Sequence, residues 1–145
     1  MKRVYILIII LFNLFLNAQT GPAGVGTIAN NPLWLKADAG TSTTTNNAPI
    51  SSWNDQSGNG INVSQATASL QPTYLTNALN GMPAIQFDNA TGGGNDKLIA
   101  PDNSKLDGTP GLSIFTVSNL NKTVSGAADA RTIVSKRNNV GVEES

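Results

Sequence analysis

The acidic and amide side chains of this sequence include one group that is spaced as in a cation-binding loop. Asp55, Ser57 and Asn59 supply oxygen atoms at alternate positions before Gly60, as in the first half of an EF-hand calcium loop. Ala66 occupies the position where that loop needs its bidentate Glu, so the EF-hand interpretation fails. Two interpretations stay open: a looser oxygen cage for Ca²⁺, and a turn whose side chains bond the local backbone.

A second pair of carboxylates brackets the glycine-rich loop at residues 89–95. Asp88 ends one strand candidate, and Asp96 begins the next. If these strands pair as neighbours, the two carboxylates approach each other, and nearby carboxylates repel unless a cation lies between them. We therefore take Asp88, Asp96 and Asp55 as candidate Ca²⁺ ligands, and we expect no other cofactor. A solvated hairpin loop is the alternative at residues 89–95.

The composition excludes several catalytic and metal sites. The chain contains no His and no Cys, so it can form neither a Ser-His-Asp or Cys-His catalytic site nor a His/Cys zinc site. Glycoside hydrolysis uses two carboxylates that flank the scissile bond. The Glu residues are Glu143 and Glu144, which would point to opposite faces of a strand. We therefore expect no enzymatic activity from this segment.

Three aromatic side chains are candidates for stacking on a sugar ring, because the C–H face of a pyranose is apolar. Trp34 and Trp53 each lie in a short apolar segment, which favours a place in the core. Tyr74 follows Pro72 and Thr73 and is predicted to lie at the surface. We take Tyr74 and Trp53 as the candidate ligand-binding residues.

The first eighteen residues have the pattern of a secretory signal peptide. Met1–Arg3 is cationic, residues 4–16 are apolar apart from Asn13, and the small Ala18 suits a cleavage position. This apolar run is shorter than the roughly 20 residues needed to span a bilayer. We expect cleavage after Ala18, a linker at residues 19–32, and a secreted or cell-surface product. A short N-terminal membrane anchor is the alternative.

The charge of the remaining chain argues against nucleic acid and anionic membranes as partners. Without Lys2 and Arg3, seven basic residues stand against nine acidic ones, and the basic residues form no cluster. We expect an extracellular glycan or a surface protein as the partner. We expect no nucleic acid and no membrane span in the mature chain.

Short strands between polar loops must position these residues. No window of eleven or more residues after residue 18 shows helical periodicity. Ile85 and Phe87 alternate with polar residues after the turn dipeptide Asn80-Gly81, and residues 112–117 are apolar on both faces, as in an inner strand. The pattern predicts an all-β fold, an antiparallel β-sandwich or jelly roll. The strand candidates are residues 33–36, 50–53, 61–63, 72–75, 84–88, 97–99, 112–117 and 131–134.

Five blocks of the sequence together resemble a known family. The blocks are Leu33–Gly40, Trp53–Gly60, Pro72–Tyr74, Asn80–Asp88 and Asn95–Leu98. In this order, with residues 112–117 in the position of a central strand, they resemble the laminin G-like, concanavalin A-like lectin/glucanase jelly rolls of secreted bacterial surface proteins. The resemblance covers about residues 33–137, the N-terminal part of such a domain.

The resemblance implies an antiparallel concanavalin A-like sandwich at residues 33–145, which we expect to be incomplete in this chain. Some laminin G-like domains bind Ca²⁺ at the sheet rim. The resemblance also implies a secreted or cell-surface, non-catalytic module that binds carbohydrate or another surface ligand, in adhesion or polysaccharide capture. Two alternatives stay open: the N-terminal half of a glycoside hydrolase of the same fold, and a structural spacer.

Overall fold

The structure is a computed structural model that describes part of the chain in two units. The described residues are 21–22, 26, 28–88, 95–108, 111–119 and 132–136. The expected signal peptide at residues 1–18 and most of the glycine-rich loop, residues 89–94, lie outside them. The two units are residues 1–112 and residues 113–145.

All regular strands of the described residues belong to antiparallel sheets in the first unit. The strands are β1 (Ala48–Pro49), β2 (Ser52–Trp53), β3 (Val63–Ser64), β4 (Thr73–Leu79) and β5 (Met82–Gln86). One sheet has the order β1-β4-β5, and the other pairs β2 with β3. Two single 3₁₀ turns, Ala68–Leu70 and Ser104–Leu106, complete the regular structure, and the described residues contain no α-helix. The predicted all-β class is confirmed.

The β4–β5 hairpin turns at the predicted dipeptide. Asn80 and Gly81 have φ angles of 50° and 79°, the left-handed conformation that a two-residue hairpin turn requires. Leu79 pairs with Met82 across this turn. The register shifts between Leu75 and Leu79, so β4 carries an irregularity before the turn. Asn and Gly tolerate positive φ at little cost, which explains why the turn forms here.

The core of the first unit is small and lies against β3 and β4. The buried apolar side chains are Ile50, Ile61, Val63 and Tyr74. Around β3 the burial alternates, because Ile61, Val63 and Gln65 are buried whereas Asn62 and Ser64 are exposed. This alternation is the period of two that a strand buried on one face shows.

Four predicted strands form no regular strand: residues 33–36, 97–99, 112–117 and the described part of 131–134. In residues 97–99, Ile99 makes an isolated bridge to Ser64. Residues 33–35 form no strand, and Lys36 makes an isolated bridge to Ala39. Residues 112–117, the predicted inner strand, form no strand either, and Phe115 and Val117 are 94% and 103% exposed. An inner strand needs a neighbour on each side, and none of the described residues pairs with this segment.

Among the described residues, no helix is long and apolar enough to cross a lipid bilayer. The apolar run at residues 4–16 lies outside the described residues.

Candidate functional site

The carboxylate of Asp55 accepts four hydrogen bonds. Its Oδ1 accepts from the backbone N–H of Trp34 at 3.0 Å and of Ser57 at 2.8 Å. Its Oδ2 accepts from Ser57 Oγ at 2.7 Å and from the backbone N–H of Ile61 at 3.2 Å. Burial by itself raises the pKa of Asp55, but these hydrogen bonds more than offset burial, so the pKa lies below its ordinary value.

The Asp55 contacts are those of a turn that bonds the backbone. N–H and O–H groups direct their hydrogen atoms at both carboxylate oxygens. These donors would have to turn away before the oxygens could bind a cation. The predicted motif from Asp55 to Asn59 therefore organises local structure. It also joins Trp34, which is 21 residues earlier in the chain, to the turn.

Asn59 attaches the preceding segment to the same turn. Its Nδ2 lies 3.0 Å from the carbonyl oxygens of Ile28 and Asn31 and 3.2 Å from that of Pro32. Its Oδ1 accepts a hydrogen bond from the ammonium group of Lys105. Residues 28–32 are thus held by a side chain about thirty positions away.

The predicted pair Asp88 and Asp96 is brought together, but its geometry differs from a shared cation site. The Asp96 N–H donates to the Asp88 carbonyl at 3.1 Å, and Asp96 Oδ2 accepts from the Asp88 N–H at 2.9 Å. The Asp96 carboxylate therefore faces the backbone N–H of Asp88. Within the described ranges, no group of three or more Asp, Glu, His or Cys side chains is arranged to hold a metal ion.

The two predicted ligand-binding aromatics have different environments. Tyr74 was predicted at the surface, whereas the structure leaves it only 5% exposed. The reason is its strand: β4 is central, and Tyr74 pairs with Ala48 on one side and Ile85 on the other. Trp53 is half-buried, and its indole N–H donates to the Lys36 carbonyl at 2.6 Å. Trp53 thus supports a neighbouring segment.

That segment, residues 34–38, forms one wall of an open groove of about 290 Å³, which we call the Trp34 groove. The start of β5 forms another wall. The lining residues are Pro22, Trp34, Lys36, Ala37, Asp38, Met82 and Pro83. The apolar segment around Trp34 favoured a core position for this residue, and the groove was not predicted. The available signal was the spacing of two between Trp34, Lys36 and Asp38, which places the Trp34 ring on the same face as two charged side chains.

Hydrogen bonds from the Asp55 turn hold the groove wall in place. Trp34 donates its N–H to Asp55, and its carbonyl accepts from the Gln56 N–H at 2.8 Å. At the other end, the Gly40 carbonyl accepts from the Asn54 N–H at 2.8 Å. Gly40 has a φ of 81°, and a Cβ there would lie 2.7 Å from the Asn54 carbonyl, so glycine permits this close approach.

Two opposite charges lie beside the Trp34 ring. Lys36 Nζ is 3.4 Å from Asp38 Oδ1, and their side chains are 36% and 43% exposed. The same ammonium lies 5.3 Å from the centroid of the Trp34 ring, within the range of a cation–π contact. A turn closed by the Ala39 N–H and the Lys36 carbonyl places Asp38 beside Lys36. The groove therefore combines an aromatic surface with a donor and an acceptor.

Comparison with known proteins gave no relative for this chain. No protein-family model matches it. No curated protein and no solved structure matches it either. Functional conclusions therefore depend on contacts within the chain itself, chiefly those around Trp34.

Proposed function

We propose that this chain is a non-catalytic module, secreted or displayed at the cell surface, that binds carbohydrate or another surface ligand. The Trp34 groove is the observation that carries the proposal. It offers the half-buried Trp34 ring, the apolar side chains of Met82 and Pro83, and charged groups that bond hydroxyls. Binding sites for small molecules commonly combine apolar and aromatic walls with a few polar groups.

The fold proposed for the module is an antiparallel concanavalin A-like jelly roll. Its support is the resemblance of the blocks Leu33–Gly40, Trp53–Gly60 and Asn80–Asp88 to that family, together with the all-β class of the described residues. The signal-peptide pattern of residues 1–18 supports export.

The non-catalytic character of the module rests on its carboxylates. Asp55 accepts four hydrogen bonds, and Asp38 is paired with Lys36. General acid–base catalysis at a glycosidic bond needs two carboxyl groups that face the same bond. The Trp34 groove contains one, Asp38.

Glycan-array binding with the purified chain, in the presence of Ca²⁺, tests this function. We expect binding to at least one polysaccharide, and we expect Trp34→Ala to abolish most of it. The matched control is Phe87→Ala, which removes an aromatic side chain of the same unit that is 49% exposed and is not one of the groove's lining residues.

Two results would overturn the proposal. Absence of binding to any glycan or surface protein would favour the structural spacer. Release of shorter sugars from a bound glycan, detected by mass spectrometry, would favour the glycoside hydrolase alternative.

A further inference from the structure

The charges of the Trp34 groove indicate which kind of sugar it takes. Lys36 and Asp38 are the charged residues of its lining, and they carry opposite charges 3.4 Å apart. The lining therefore has no net charge. An anionic sugar would be attracted by Lys36 and repelled by Asp38, and its carboxylate would have to replace an existing ion pair.

A neutral sugar meets the same pair without that conflict. A hydroxyl group both donates and accepts hydrogen bonds, so the Lys36 ammonium can donate to one hydroxyl while the Asp38 carboxylate accepts from its neighbour. Hydrogen bonds to charged groups are stronger than those between neutral groups. The pair is also partly exposed, so a ligand can reach it.

The position of the pair relative to Trp34 suits a single flat ring. The Lys36 ammonium lies over one face of the Trp34 ring, 5.3 Å from its centroid, so a sugar that stacks on this face has to displace the ammonium sideways, where it can donate to a hydroxyl. Met82, which is 56% exposed, and Pro83 add apolar contact for C–H groups. The groove volume of about 290 Å³ is just below the roughly 300–1,000 Å³ typical of sites for drug-sized ligands, which suits a small ligand.

We propose that the Trp34 groove binds one uncharged pyranose unit of a glycan, with Trp34 as the stacking surface and the Lys36–Asp38 pair as hydroxyl donor and acceptor. This inference rests on the carbohydrate-binding function proposed above. It adds where the glycan binds, that neutral sugars are preferred over acidic ones, and that the site holds one sugar ring.

Titration calorimetry with matched neutral and acidic probes tests the inference. The probes are gluco- and galacto-oligosaccharides and the corresponding oligouronates, each offered to the purified chain. We expect neutral oligosaccharides to bind and oligouronates to bind more weakly. Trp34→Ala should weaken neutral binding by about tenfold or more, as truncation of a central aromatic contact commonly does. Phe87→Ala should leave binding unchanged, since Phe87 is not one of the groove's lining residues.

Charge variants separate a binding role from a structural one. Asp38→Asn leaves the groove with one positive charge, and Lys36→Gln leaves it with one negative charge. We expect Asp38→Asn to strengthen oligouronate binding and Lys36→Gln to weaken it, each by about two- to fivefold, the range of partly exposed charge pairs. Both residues are partly exposed, so the variants should fold; a circular dichroism melt checks this.

The outcomes distinguish the two proposals. Binding of neutral sugars that depends on Trp34 supports both. Preferential binding of oligouronates overturns the neutral-sugar inference and leaves the carbohydrate-binding function standing. Neutral binding that survives Trp34→Ala in a folded variant overturns the location. No binding of any glycan overturns the carbohydrate-binding function and, with it, this inference.

Discussion

At the Asp55 turn one carboxylate accepts four hydrogen bonds, whereas at the Asp88–Asp96 pair a carboxylate accepts one bond from the described residues. Both regions are rich in Asp, Asn and Gly, and both have the composition of a calcium loop. The Asp55 donors belong to residues 34, 57 and 61. The Asp96 donor is eight residues away, within a local loop.

The difference shows that composition alone does not fix what a carboxylate does. A carboxylate taken out of water needs compensating donors, and backbone N–H groups of a turn supply them at short range. Asp55 meets this need with three backbone N–H groups and the hydroxyl of the buried Ser57. Asp88 is exposed, so its carboxylate does not have to leave water.

The largest expected effect comes from removing the Asp55 carboxylate. Asp55→Ala leaves four donors without their acceptor, and an unpaired buried polar group costs about 1–3 kcal/mol. We expect the free energy of unfolding in urea to fall by about 3 kcal/mol. Asp96→Ala is the matched control and should cost less than about 1 kcal/mol. Equal losses of unfolding free energy in Asp55→Ala and Asp96→Ala would contradict the inferred difference between the two carboxylates.

A smaller effect is expected from Asn59. Asn59→Asp replaces a donor that faces three carbonyl groups by an oxygen that repels them. We expect a loss of about 2 kcal/mol and faster proteolysis within residues 28–32, followed by mass spectrometry. Asn77→Asp is the control, because Asn77 already uses its oxygen to accept from the Gly81 N–H. Unchanged proteolysis in Asn59→Asp would show that this segment is held by other contacts.

The pH dependence of stability is a further test of the same contrast. The folded pKa of Asp55 lies below its ordinary value of about 3.9, so the unfolded chain binds the proton more tightly. Its stabilising contribution is therefore present above the ordinary value and is lost as the pH falls through the folded pKa. One such group changes the unfolding free energy by at most about 1.4 kcal/mol per pH unit.

Thermal melts across the acidic range measure this effect. The wild-type melting temperature should fall as the pH drops below about 4, and the slope should be shallower in Asp55→Asn. A wild-type slope in Asp55→Asn would assign the acid sensitivity to other carboxylates.

Local signals were sufficient where a feature depends on neighbouring residues. Asn80-Gly81 predicted the hairpin turn, because such a turn requires positive φ at two successive residues and Asn and Gly both tolerate it. Residues 61–63 were a predicted strand, and β3 forms at Val63–Ser64. The turn that starts at Asp55 was one of two interpretations of its motif, and its hydrogen bonds favour that interpretation.

Features that depend on distant partners were not predictable from the sequence. Residues 112–117 have the composition of an inner strand, but a strand forms only where a neighbour pairs with it. Tyr74 looked exposed beside a proline, but pairing of β4 on both edges buries it. The Trp34 groove joins residues 34–38 to Met82 and Pro83, about 45 positions later, and no local pattern links these segments.

Calcium is expected to have the smallest effect. The Asp55 oxygens face N–H and O–H donors, and Asp96 Oδ2 faces the Asp88 N–H. We therefore expect the melting temperature in millimolar Ca²⁺ to equal that in chelator. A ligand at one tenth of its Kd stabilises a protein by only about 0.06 kcal/mol. A rise of several degrees that Asp96→Asn abolishes and Asp38→Asn preserves would instead establish a calcium site at the Asp88–Asp96 pair.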